Sequence, residues 1–147
     1  MPLFADGLKK IRNNLHKIEA GERPQMARIG IFTETQLKFI NEKRSEDGLL
    51  PIEAVILFVG RHLYKSRCVE DGYTIEEVML QIENAFAEDS IVNCDRGTAL
   101  VSSKDRDDGN GHRSIRDEAV FECTQKHPNP ELYSIIPRGD GKGAHRK

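Results

Sequence analysis

The densest run of groups able to do chemistry is Arg61-His62-Leu63-Tyr64-Lys65-Ser66-Arg67. On a helix, His62 and Lys65 share a face, as do Arg61 and Lys65. A histidine among cations makes a poor core element, because burying it strands several charges. It suits a place where an anion sits. Cations stabilise phosphate and the negative charge that develops in phosphoryl transfer, while an imidazole gives or takes a proton near neutral pH. The same residues also fit a solvated helix face that packs through Leu63 and Tyr64.

A second set lies in Lys104-Asp105-Arg106-Asp107-Asp108-Gly109-Asn110-Gly111-His112-Arg113. Its aspartates suggest a calcium loop, but Gly109 and Asn110 stand where an EF-hand needs a ligand and its glycine, and the terminal Glu is missing. The glycines are not followed by the Gly-Lys-Ser/Thr of a phosphate-binding loop. The stretch reads as a flexible connection between strands. It sets Lys104, Arg106, His112 and Arg113 at a sheet edge, where they can meet the His62 segment. A third set is His127 with Tyr133, Ser134 and Arg138 around the last strand. Alternation there sends Tyr133 and Ile135 to one side, and Leu132, Ser134 and Ile136 to the other. Ser134, among apolar neighbours and without a Gly-x-Ser-x-Gly elbow, reads as structural.

The histidines (His16, His62, His112, His127, His145) and cysteines (Cys68, Cys94, Cys123) show no paired ligand spacing, so neither a metal nor a cofactor is expected. Odd and scattered cysteines argue against a disulfide framework and fit reduced thiols in a cytoplasm. The start, Met1–Asp6, lacks a charged leader followed by an apolar stretch, and no apolar run is long enough for a bilayer span.

Several elements must position these groups. Phe4, Leu8, Ile11, Leu15 and Ile18 form one apolar stripe on a helix that Gly21 and Pro24 end. So narrow a seam serves either the domain's own core or another chain. Thr33 with Gln36 opens a second helix, with Leu37 and Ile40 on its inner face and a stop near Asp47-Gly48; Thr74 with Glu77 opens another, faced by Ile75, Val78, Met79, Ile82 and Phe86. The stretch from Ile52 to Val59 fits a buried helix and a buried strand equally. Beyond Asp89, the runs Ser90–Cys94, Thr98–Ser103, Ala119–Gln125 and Leu132–Pro137 read as strands between turn formers, joined as an antiparallel meander.

The expected fold is therefore α+β, with N-terminal helices packed on a C-terminal antiparallel sheet of about four strands. At 147 residues, 37% hydrophobic and 31% charged, one domain over 1–140 is expected, with 1–24 as an amphipathic helix available as an interaction arm and 141–147 as a flexible basic tail. The formal net charge of −2 excludes a uniformly basic nucleic-acid binder. Charge is uneven, though: Arg138, Lys142, Arg146 and Lys147 face only Asp140 at the C-terminal end. That tail and the 104–116 stretch allow sequence-tolerant phosphate contact.

Helices, then Gly60-Arg61-His62-Leu63-Tyr64-Lys65-Ser66-Arg67, then about four antiparallel strands together resemble a ribonuclease superfamily. It embraces the barnase, EndoU, colicin and RelE types, phage-associated and toxin domains among them. The resemblance covers roughly Ile52–Asp140. It implies a helical layer on an antiparallel sheet and RNA cleavage without metal, by activation of the ribose 2′-hydroxyl and stabilisation of the cyclising phosphate. Carried onto this chain, it implies His62 as general base or acid and Lys65 and Arg67 on the phosphate. Beyond the resemblance, the placing of the 104–113 stretch at a sheet edge makes His112 the expected second proton carrier, with Arg61, Lys104, Arg106 and Arg113 expected to hold the substrate. The acidic overall charge departs from the basic character of many ribonucleases. The competing expectation is a non-catalytic phage- or host-encoded assembly module, which binds a protein partner or self-associates through the Phe4–Ile18 helix.

Overall fold

The computed structural model describes residues 3–88, 90–95, 98–102, 106–107, 114–123 and 128–139. Helix α1 (Gly7–Glu19) leads to strand β1 (Ala27–Ile31), helix α2 (Glu34–Glu46) and strand β2 (Val55–Phe58). A single turn, α3 (Arg61–Leu63), widens directly into a π-helical stretch (Tyr64–Glu70) before α4 (Ile75–Ala85). The rest is β: β3 (Ile91–Asp95), β4 (Thr98–Ser102), β5 (Arg106–Asp107), β6 (Ser114–Glu122) and β7 (Glu131–Gly139).

Local chemistry accounts for the helix starts. Thr33 Oγ1 accepts from the Gln36 amide at 3.2 Å, and the Gln36 side chain accepts from the Thr33 amide at 2.9 Å. Thr74 and Glu77 repeat the exchange at 3.1 and 3.0 Å. Each pair satisfies two of the amides that a helix start leaves open. On α4 the expected face is the buried one: Ile75, Val78, Met79 and Ile82, with Phe86 as the C-cap. On α1, Ile11 and Leu15 are fully buried in the chain's own core, while Phe4 precedes the helix and is 39% exposed. Gly7 allows the start of α1 to lie on β1, since a Cβ there would stand 2.4 Å from the Ile29 carbonyl oxygen.

The α+β class is as expected, but helices and strands are interleaved. The sheet order is β1-β2-β7-β6-β4-β3, with β5 pairing β6 off this path. Strands β3, β4, β6 and β7 are the antiparallel neighbours read from the sequence. Two strands from the first half extend that sheet, and β2 lies parallel to β7, with Leu57 opposite Glu131. The sheet is therefore mixed. The 52–59 stretch resolves in favour of a strand because its backbone finds partners on both sides: Phe32 N donates to Ala54 O, and Leu57 N to Pro130 O. Asn41 holds the approach to β2 by accepting from Ile52 N at 2.8 Å and donating to Ile52 O at 3.2 Å.

Register defines the core face. Ala99, Phe121 and Leu132 lie in one row and Val101, Ala119 and Ile135 in the next, all buried. Phe121 sits at the centre, edge-on to Phe32 (centroids 5.2 Å apart) and to Phe86 (5.7 Å). Simple alternation would put Leu132 and Ile135 on opposite faces. A β-bulge reconciles them: Val120 pairs Ser134 and Phe121 pairs Leu132, so Tyr133 is the extra residue.

The turn from β2 into α3 rests on Gly60, whose φ is +105°. A Cβ there would also stand 2.7 Å from Cζ of the buried Phe58. Gly60→Ala is expected to cost about 2–4 kcal/mol, combining the left-handed backbone penalty with overpacking. A lower urea midpoint measures it, and an unchanged midpoint would contradict this account of the turn.

Candidate functional site

Gly60 closes the turn by accepting from Tyr64 N at 2.9 Å, which starts the helix carrying Arg61, His62 and Lys65. Leu63 is buried and anchors that helix in the core, while Arg61, His62 and Lys65 are exposed. All three of these side chains are thus open to solvent on one short segment. The His62 ring lies against the Tyr133 ring, with centroids 4.1 Å apart and 15° between the planes. Its Nε2 shares a 3.3 Å hydrogen bond with Ser66 Oγ, and Ser66 is itself buried. A hydroxyl both donates and accepts. Ser66 can therefore hold the neutral ring and the imidazolium alike, with the ring plane set by Tyr133.

The bulge explains the stack. Bulges re-aim side chains, and Tyr133 is the residue without a cross-strand partner on β6. Because β2 and β7 run parallel, β7 carries Tyr133 alongside the chain leaving β2, where α3 begins. The sequence reading separated His62 from Tyr133, and no local signal joins them. The wide π-helical turns follow at once, a form that often marks functional sites.

Arg67 is placed differently. Its Nη1 lies 3.2 Å from Asp71 Oδ2, with the two side chains only 13% and 11% exposed. A guanidinium held this way is withdrawn from ligands in solvent. Tyr64 and Cys68 also face inward, and burial is the main cause that pushes both hydroxyl and thiol up, Cys68 to about 11. A thiol so shifted is protonated and inert at neutral pH. Lys104, His112, Arg113, His127 and the 141–147 tail lie outside the described residues; Arg106 lies on β5, where only its backbone is described. Arg138 donates from Nε to Glu118 at 2.8 Å. Among the described residues, no three His, Cys, Asp or Glu side chains gather as a metal site, and no helix is long and apolar enough to cross a membrane.

On the face of the sheet away from the core, Glu131 stands between Leu57 and Glu122. Burial, and then the neighbouring Glu122 carboxylate, push its carboxyl up. A raised carboxyl means the folded chain holds the proton more tightly than the unfolded chain. Stability is then undiminished below the ordinary carboxyl range and falls as pH rises through the raised value. Glu131→Gln is expected to raise the melting temperature at neutral pH, with the gain vanishing near pH ~4. Melts at both pH values check the sign.

No protein-family model, curated protein or solved structure matches this chain.

Proposed function

We propose that the chain is a metal-independent RNA-cleaving domain in which His62 moves the proton. The observation that supports this most is an exposed imidazole held on two sides, by the Tyr133 ring and the Ser66 hydroxyl, with Arg61 and Lys65 exposed on the same segment. In the reaction, His62 as base takes the proton of the ribose 2′-hydroxyl, whose oxygen attacks the adjacent phosphorus. The bond from phosphorus to the 5′-oxygen breaks, leaving a 2′,3′-cyclic phosphate and, once that oxygen is protonated, a 5′-hydroxyl. Lys65 and Arg61 offset the charge on the phosphoryl oxygens. His112 is the candidate for the second proton carrier. Arg67 drops to a structural role, since Asp71 already neutralises it.

The assembly reading has less support from the Phe4–Ile18 stripe, since Ile11 and Leu15 are used by the domain's own core. The deciding experiment incubates the purified chain with end-labelled RNA in EDTA, beside His62→Ala. Cyclic-phosphate products from the wild type alone support the proposal. Equal cleavage by both proteins, or none by either, removes it.

A further inference from the structure

A cationic groove lies outside the 52–140 segment, on the first helix. Lys10, Asn13, Asn14 and Lys17 follow the spacing that puts side chains on one helical face. That face of α1 meets the chain entering β1, and together they line a cavity of about 370 Å³ that includes Met26 and Arg28. Asn14 is buried and forms the floor, donating to the carbonyls of Gln25 (2.8 Å), Val59 (3.2 Å) and Phe58 (3.4 Å). Lys10 is steered into place by the Arg28 carbonyl at 3.1 Å and by Asp6 at 3.4 Å. Lys17 and Arg28 have no ion-pair partner among the described residues.

The groove does not stop at α1. Met26 and Arg28 also line a second cavity, of about 290 Å³, walled by Val55, Leu57 and Asn129. Three cations thus lead into a trough along β2 that is walled by Val55, Leu57 and Asn129 and has Glu131 opposite Leu57 at its far side, β2 being the strand that runs to Arg61 and His62. In a chain with a formal net charge of −2, such segregation of positive charge is local rather than a by-product of composition. An elongated path fits a row of anions better than one small ion. The side chains of Val55 and Leu57 on its wall suit the faces of bases.

We infer that Lys10, Lys17 and Arg28 bind the phosphates of a single-stranded nucleic acid that continues over Val55 and Leu57 toward His62. The choice of RNA rests on the cleavage reading above; the phosphate contacts do not. The test is fluorescence anisotropy of the full chain with a labelled single-stranded 2′-O-methyl RNA, which cannot be cleaved through its 2′-oxygen. Three phosphate contacts predict a slope of log affinity on log salt near −2, or about twentyfold weaker binding between about 50 and 200 mM salt. In Lys17→Gln/Arg28→Gln, two contacts are lost and the slope becomes shallower by about 1.4. Among the described residues these two side chains carry no ion pair, so the fold is expected to survive, and Lys17→Arg/Arg28→Lys is expected to restore both affinity and slope.

An unchanged slope in the folded Gln variant would overturn the groove assignment. Binding of a polyglutamate peptide as tight as that of the oligonucleotide would overturn the nucleic-acid partner. Salt-sensitive binding by a chain that cleaves no RNA would support the groove while ending the His62 proposal, so the two fail separately.

Discussion

His62→Ala is expected to lower the rate of RNA cleavage by about 10²–10⁴-fold, the usual worth of a positioned acid or base. Its melting temperature should barely change, because the side chain is exposed and carries none of the core. Partner variants make this more than a deletion test. Tyr133→Phe keeps the ring on which His62 stacks and is expected to retain most activity. Tyr133→Leu removes the flat support and is expected to reduce kcat more than it raises KM, since it disturbs a positioned group rather than a substrate contact. Ser66→Ala takes away the hydroxyl at Nε2 and should fall between them. A purely structural Tyr133 would give Leu and Phe variants that differ in stability alone. Rates in EDTA, measured beside thermal melts of each variant, separate these outcomes.

Phe121→Ala is expected to destabilise the chain by about 3–5 kcal/mol, a large part of the ~5–15 kcal/mol that holds a typical domain together. Phe121 is 1% exposed and makes edge-to-face contacts with Phe32, just after β1, and with Phe86, at the end of α4. One ring therefore ties the middle of the sheet to both the first-half strands and the helical layer. Removing it leaves a cavity that three separate elements would have to close together, which packed side chains do only in part. Phe121→Leu keeps most of the volume and is expected to cost less than half as much. Urea unfolding of both variants reads the difference. A loss below ~1 kcal/mol for the alanine variant would show that the aromatic cluster does not hold the core together.

The two expectations meet at one place. Phe121 pairs with Leu132 on one side of the bulge whose extra residue is Tyr133. The core row and the site's supporting ring are thus adjacent consequences of one register shift. Loosening the core beneath Leu132 should weaken the stack on His62, even in molecules that remain folded.

Much of this architecture is local and so was legible along the chain. Capping boxes at Thr33 and Thr74, the face of α4 and the antiparallel run of β3, β4, β6 and β7 depend on neighbours a few residues apart or on turn formers between them. The Arg61–Lys65 cluster was visible for the same reason. Residue types and helical spacing alone determined an α+β chain with a cation-flanked histidine between its early helices and its later strands. Tertiary structure decided the rest. Whether Val55–Phe58 was strand or helix depended on backbone partners at Ala54, Pro130 and β1, which no periodicity contains. The stripe on α1 could serve a core or a partner, and only the position of β1 assigned Ile11 and Leu15 to the core. Arg67 looked like a phosphate ligand until Asp71 was seen to bury with it. Tyr133 reached His62 through a parallel pairing and a bulge, both set by strands far apart in sequence. Short-range chemistry chose the groups; the pairing of distant strands chose which of them face one another.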